Sequence, residues 1–176
     1  MPKVIENLRE RILAHAKSEL LEKGYDALNI RAVAKECGIA VGTMYNYYPS
    51  KEMLAAFIMM DDWRDELERM RAACSRSLSV EEALSALYDG VTAFSSLYRS
   101  VWSGYNFSQS AKSEYGARHN LLVLQLAECL KPVLERFPAA EIDGFDVFLA
   151  ENVLICTGGS ELKFDEFKRI VNRILK

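Results

Sequence analysis

The chain has 176 residues, of which 50% are hydrophobic and 27% are charged, a composition typical of a globular protein with a sizeable core. No run of eighteen apolar residues occurs and the charged N-terminus does not resemble a secretory signal, so we expect a cytoplasmic protein without a membrane-spanning helix. The net charge is −3, but residues 1–51 hold eight Lys/Arg and six Asp/Glu, a net +2, which leaves −5 for the rest. The net negative charge disfavours a nonspecific nucleic-acid binder, and the asymmetry suits a DNA-reading head on an acidic body.

Helical periodicity dominates the chain, and no segment alternates like a strand. The first segment repeats apolar residues at three- and four-residue spacing: Ile5, Leu8, Ile12, Ala16 and Leu20. It is expected to end at Lys23-Gly24, because a basic last turn followed by Gly suits a helix C-terminus. Asn29 is expected to cap a second, short helix over residues 30–37. A third short helix, from about Val41 to Tyr47, follows a four-residue turn that begins at Gly38.

The remaining helices are predicted from caps and apolar stripes. Ser50 is expected to cap a fourth helix that continues to about Cys74, and the capping box of Ser79 and Glu82 begins a fifth that continues to about Ser103. Residues 104–116 are expected to form a loop or a short irregular helix. Later helices are predicted over residues 121–137, with Pro132 as a kink or break, and over residues 142–156 and 164–175.

The second and third helices form a helix-turn-helix layout. Small Ala34 and Gly38 are placed where the two helices must cross closely, and Gly38 is expected to adopt a positive φ. Val33, Ile39 and Met44 supply the apolar contacts that fix the crossing angle. The third helix is then expected to present a polar and aromatic face to a major groove: Thr43, Tyr45, Asn46 and Tyr47.

Residues 12–58 carry a more specific pattern than a generic helix-turn-helix. The third helix continues as Gly42-Thr43-Met44-Tyr45-Asn46-Tyr47-Tyr48, and Ser50-Lys51-Glu52-Met53-Leu54 opens the fourth. In these residues the chain resembles the TetR (tetracycline repressor) family. The resemblance implies an all-α protein in which a three-helix DNA-binding domain, residues 1–50, precedes a larger helical domain for dimerisation and effector binding, residues 51–176. It also implies a ligand-responsive repressor that binds a palindromic operator as a dimer.

The resemblance implies individual DNA contacts. Arg31, Val41 and Gly42 would lie near base edges, while Thr43, Tyr45 and Tyr47 would face the DNA. Lys51 would pair with a phosphate at a helix N-terminus, and Asn29 would offer a backbone group to another phosphate. The alternatives are that Tyr45 and Tyr47 are packing aromatics and that Arg31 and Lys51 are solvated surface residues. Two positions depart from the family pattern: Asn29 replaces the usual Thr or Ser, and Tyr48, which we expect to pack, replaces the commoner Phe.

The acidic second domain is expected to bind a second copy and a small effector. The last two helices are apolar enough to need a partner, and two from each copy would form a four-helix interface. Aromatic and Met residues suggest a pocket for a small apolar or aromatic effector: Met59, Trp63, Phe94, Tyr98, Trp102, Tyr105 and Phe107. Plain core packing is the alternative interpretation of these residues.

Two other function classes are alternatives to a ligand-responsive DNA-binding regulator. An enzyme is disfavoured because the chain has no Gly-rich phosphate loop, no nucleophile elbow and no HExxH, so no catalytic residue is predicted. Four widely spaced cysteines without a CxxC, together with two histidines, predict neither a metal site nor a cofactor. The cysteines are expected to be reduced and buried. A redox-responsive regulator that uses them stays open as the alternative.

Overall fold

The computed structural model describes residues 7–99, 101, 111–137 and 142–175, with the side chains of residues 111–117 left out. The regular structure in these ranges is helical, which confirms the predicted all-α class. We number the helices in chain order: α1 (Leu8–Lys23), α2 (Ile30–Glu36), α3 (Val41–Tyr47), α4 (Lys51–Arg76), α5 (Val80–Leu97), α6 (Ala111–Leu134), α7 (Phe145–Thr157) and α8 (Phe164–Ile174). None of these helices combines the length and apolar character needed to cross a membrane.

The described residues form two compact units. The first contains residues 7–63 together with 97–99 and 101, and the second contains residues 64–96, 111–137 and 142–175. The chain passes from the first unit to the second within α4, after Trp63, and returns at Leu97. The predicted division of the chain at residue 50 stays a prediction.

The first unit is built on one face of α1. Ile12, Ala16 and Leu20, at four-residue spacing, are completely buried, as this periodicity predicts. The helix ends where expected: Gly24 has φ 82° and its N–H donates to the carbonyl of Leu20. A positive φ is unfavourable for a residue with a Cβ atom, so Gly is suited to this end.

The second unit contains the last part of α4 and helices α5 to α8. The side chains that fill its interior are apolar and almost completely buried: Met70, Leu84, Leu87, Leu126, Leu130, Val133, Leu149, Val153, Phe167 and Val171. Tyr88 of α5 stacks on Phe164 of α8 with ring centroids 4.0 Å apart. Glu81, in the first turn of α5, accepts a hydrogen bond from the Asn172 side-chain amide at 2.7 Å, which ties α8 to α5.

Several predicted boundaries need correction. Ser79 caps α5 through the Glu82 N–H, as expected, but α5 ends at Leu97 rather than near Ser103. Ser95 and Ser96 precede this end, and hydroxyl groups there compete for backbone hydrogen bonds. Helix α6 begins at Ala111, ten residues before the predicted start, and passes through Pro132 without a break. Pro132 is tolerated because α6 ends at Leu134, so the proline removes a single hydrogen bond in the last turns.

Candidate DNA-binding site

Asn29 organises the start of α2. Its Oδ1 accepts hydrogen bonds from the backbone N–H groups of Arg31 at 2.9 Å and Ala32 at 3.3 Å. The residue has an extended backbone, with φ −128° and ψ 111°, so it is an N-cap, as predicted. Asn29 and Arg31 are both exposed, so this helix N-terminus is open to solvent.

The turn between α2 and α3 depends on Gly38, which has φ 66°. A Cβ atom here would meet nothing within 4 Å, so glycine is required for its backbone conformation and not for space. The N–H of Ile39 donates to the carbonyl of Ala34 at 3.0 Å, which closes the turn. Arg11 of α1 donates from Nη2 to the carbonyl of Cys37 at 3.3 Å, so α1 also supports the turn. The sequence did not predict this contact of Arg11, because no local pattern indicates a hydrogen bond to a residue 26 positions away.

Helix α3 separates packing residues from exposed ones. Met44 and Tyr48 are buried, and the Tyr48 ring packs edge-on against Phe57 with centroids 5.4 Å apart. The Tyr45 and Tyr47 side chains are 45% and 44% exposed. The other predicted α3 positions are exposed or half-buried: Val41, Gly42, Thr43 and Asn46. Packing of Tyr48 is confirmed, and one face of α3 offers tyrosine and amide groups to a partner.

Lys51 begins α4 and contacts the loop before α2. Its Nζ donates to the carbonyl of Asp26 at 3.0 Å and lies 4.5 Å from the centroid of the Tyr25 ring. The Tyr25 hydroxyl donates to Oε1 of Glu52 at 3.1 Å, so two adjacent α4 residues bind this loop. An ammonium group carries three N–H donors, so Lys51 keeps donor capacity for a phosphate while it holds Asp26. The contacts of Lys51 with the loop were not predicted from the sequence.

The predicted pocket residues are distributed over both units. Met59 and Trp63 are half-buried in the first unit, where Tyr98 is fully buried, whereas Phe94 belongs to the second unit. Trp102, Tyr105 and Phe107 lie outside the described residues. The Tyr98 hydroxyl donates to Oδ2 of Asp62 at 2.5 Å. The pocket therefore stays a prediction, and one of its tyrosines already has a polar partner within the protein.

The four cysteines are buried and free, as expected. Burial raises the pKa of all four thiols, and it raises that of Cys74 to about 12. Oxidation by peroxide requires the thiolate, which these environments disfavour. The structure thus gives no support to the redox-responsive alternative.

Residues 12–56, which include the whole helix-turn-helix, match the family model described as bacterial regulatory proteins, tetR family. This segment is therefore similar to the DNA-binding segment of that family. It is also similar to two curated relatives: the HTH-type transcriptional regulator UidR of Escherichia coli K12, 36% identical over 63 residues, and the HTH-type transcriptional repressor KstR of Mycolicibacterium smegmatis, 36% identical over 69 residues. These alignments cover 36% and 39% of this chain and 32% of each relative. The matched region thus spans about a third of the relatives' length.

The likeness to solved structures extends over nearly the whole chain. The transcriptional regulator SCO7518 from Streptomyces coelicolor A3(2) aligns with a TM-score of 0.54 and 18% identity, over 96% of this chain and 98% of that one. At this identity the likeness shows the fold alone. The likeness of fold therefore extends beyond the matched N-terminal segment.

Proposed function

We propose that this chain is a tetR-family, sequence-specific DNA-binding transcriptional regulator rather than an enzyme, and that it acts as a ligand-responsive repressor on a palindromic operator. The observation that carries the proposal is that Met44 of α3 and Tyr48 at its C-cap pack inward while Tyr45 and Tyr47 of α3 remain exposed. A helix held this way can enter a major groove without losing its packing. The names of UidR and KstR, both HTH-type transcriptional proteins, support the same function.

The individual contacts belong to the proposal. Arg31, Val41 and Gly42 lie near base edges, and Thr43, Tyr45, Asn46 and Tyr47 face the groove. Lys51 and the Asn29 backbone contact phosphates, since a cation and a helix N-terminus both attract anions.

Selection of bound duplexes from a random library tests the DNA contacts. We expect the native chain to enrich a palindrome and the Tyr45→Ala/Tyr47→Ala variant to lose that enrichment. Leu78→Ala is the matched control, because Leu78 is 82% exposed but lies in the second unit, so it is expected to enrich the same site as the native chain. A folded native chain that enriches no duplex, or a double tyrosine variant that selects the same palindrome, would contradict the proposal.

The partner for α7 and α8 is proposed to be a second copy of this chain. Both helices carry exposed apolar side chains: Val147, Phe148 and Ile155 on α7, and Ile170 and Ile174 on α8. Phe148 and Ile155 are seven residues apart and Ile170 and Ile174 four, and apolar groups at such spacings share a helix face, as in a helix-bundle interface. A two-fold dimer places two copies of α3 about one DNA turn apart, roughly 34 Å, and so requires a palindromic site.

Light scattering after size-exclusion chromatography tests the interface. The Ile155→Asp/Ile170→Asp variant is expected to be a folded monomer with much weaker operator binding, because both side chains are exposed and charges oppose their burial. Leu78→Asp adds a charge at an exposed Leu outside α7 and α8 and is expected to leave a dimer. A dimeric Ile155→Asp/Ile170→Asp variant would exclude these helices as the interface.

The effector is proposed to be a small apolar or aromatic molecule that contacts Met59, Trp63 and Tyr98 of the first unit. Phe94, Trp102, Tyr105 and Phe107 stay predictions from the sequence. Such a ligand weakens operator binding only if it prefers a protein conformation that has low operator affinity. Anilinonaphthalene sulfonate, an aromatic probe, tests this property. We expect its binding to reduce operator affinity and to weaken in Trp63→Ala; probe binding that leaves operator affinity unchanged would contradict the effector proposal.

A further inference from the structure

Asp62 of α4 binds two groups from distant parts of the chain, all within the first unit. Its Oδ1 accepts a hydrogen bond from Nζ of Lys17 on α1 at 2.6 Å, and its Oδ2 accepts one from the Tyr98 hydroxyl at 2.5 Å. The carboxylate side chain is only 14% exposed, and Tyr98 is completely buried. One carboxylate therefore joins α1, α4 and the segment that follows α5.

Both bonds are short and share an ionised acceptor, and the Tyr98 bond is the more buried of the two. A carboxylate that accepts from an ammonium or a hydroxyl forms charge-assisted bonds, and partial exclusion of water strengthens them. Burial and the neighbouring Asp62 and Asp61 charges raise the pKa of Tyr98, so its hydroxyl stays protonated and remains a donor at neutral pH. The Tyr98 hydroxyl thus cannot leave Asp62 without cost.

The position of Asp62 in the chain gives these bonds a further role. The chain leaves the first unit just after Asp62 and Trp63, forms α5 in the second unit, and returns at Leu97. Tyr98 and Val101, at the return, are both completely buried. Displacement of this returning segment pulls on Asp62 and, through Lys17, on α1, the helix whose Arg11 supports the turn before α3.

We propose that Asp62 is a positioning residue that couples the segment after α5 to the operator-bound orientation of the DNA-reading helices, an inference that rests on the proposed function. The Lys17 bond orders α1, and the Tyr98 bond holds the returning segment against the same carboxylate. A ligand or partner that draws Tyr98 away from Asp62 lowers operator affinity without touching the recognition helix.

The test uses the duplex selected by the native chain and four variants: Tyr98→Phe, Lys17→Met, their combination and Asp62→Asn. Lys23→Met is the matched control, since Lys23 is an exposed α1 lysine whose loss removes the same charge and leaves Asp62 intact. We expect Tyr98→Phe to weaken operator binding about tenfold, or about 1.4 kcal/mol, at unchanged dimer content. The combined variant is expected to lose less than the product of the single effects, because both bonds act through one carboxylate.

Hydrogen exchange in the free protein provides a readout that does not depend on DNA. Tyr98→Phe is expected to accelerate exchange in α1 and α2 while α7 and α8 keep native rates, whereas a merely structural role would raise exchange throughout. Native operator affinity and native α1 exchange in Tyr98→Phe, or multiplicative effects in the combined variant, would overturn the coupling. Failure of the native chain to select any duplex would overturn the proposed function instead. The exchange rates would still decide whether Asp62 couples α1 to the segment after α5.

Discussion

Replacement of Tyr48 by Phe tests whether the packing of the recognition helix is understood. Tyr48 is 1% exposed, and its hydroxyl has no hydrogen-bond partner among the residues that the structure describes. Burial raises the pKa of Tyr48, and the Arg9 guanidinium, which lies near the hydroxyl without reaching hydrogen-bond geometry, opposes this rise. Most buried tyrosines lose stability when the hydroxyl is removed, because a hydrogen bond is lost with it. Here the ring contact with Phe57 is retained and no hydrogen bond is lost.

The sign of the effect follows from two terms. A buried hydroxyl without a partner costs about 1–3 kcal/mol, and its removal recovers part of that cost. The lost electrostatic contact with Arg9 and the small space left by one oxygen oppose the gain. We therefore expect Tyr48→Phe to raise the free energy of unfolding by about 0–1 kcal/mol, which for a chain of this size raises Tm by about 2–4 °C per kcal/mol.

Urea unfolding followed by circular dichroism measures the change, provided that the m-value stays constant. Tyr45→Phe is the matched control: its hydroxyl lies on a half-exposed side chain, so its stability is expected to change by less than about 0.5 kcal/mol. A loss of about 1 kcal/mol or more in Tyr48→Phe would refute the reasoning. It would mean that the Tyr48 hydroxyl is hydrogen-bonded, either to Arg9 or to an ordered water molecule.

Four further predictions follow from individual contacts. Asn29→Ala removes both cap bonds of α2 and is expected to lower the free energy of unfolding by about 1 kcal/mol in urea, while Asn29→Ser retains most of it. In Gly90→Ala the added Cβ would lie 2.6 Å from Cγ of the buried Met70. Overpacking of this kind costs about 1–3 kcal/mol, which outweighs the gain in helix propensity of about 1 kcal/mol, so we expect a lower Tm. The four thiols are expected to resist Ellman's reagent at pH 8 until urea unfolds the chain, and mild peroxide is expected to leave operator affinity unchanged; rapid labelling of the folded chain would revive the redox alternative. Hydrogen bonds from the backbone and Ser50 lower the pKa of the Glu52 carboxyl group in the folded chain. The stability that Glu52 adds is therefore present above its unfolded pKa and is lost as the pH falls through the lower folded pKa. Glu52→Gln should reduce the loss of unfolding free energy measured as the pH is lowered through this range.

The sequence was sufficient for the helix-turn-helix because its signals are local. Asn29 caps the first residues after it, and Gly38 adopts its positive φ whatever lies far away in the chain. The periodicity of α1 identified Ile12, Ala16 and Leu20 as its buried face. Tyr48 was assigned to packing because it stands where the family pattern commonly has Phe.

Contacts between distant segments carry no such signal. Nothing near Lys51 indicates that Asp26 accepts a hydrogen bond from it, and nothing near Asp62 indicates Lys17 and Tyr98. A fifth helix that continued to about Ser103 would have carried both Phe94 and Tyr98, but α5 ends at Leu97. The spacing of Phe94 and Tyr98 therefore does not place them on one face, and the effector pocket cannot be derived from that periodicity.

The shortness of α2 and α3 explains why stability and DNA reading are separable in this domain. Each helix has seven residues, about two turns, which is too short to persist alone in water. Helix α3 exists because Met44 and Tyr48 are buried and because Gly38 and Arg11 fix the turn before it. Tyr45 and Tyr47 contribute little to that packing. Substitutions at 45 and 47 should therefore change operator affinity at constant Tm, whereas substitutions at 44 should lower both, and a measurement of Tm beside each affinity separates the two roles.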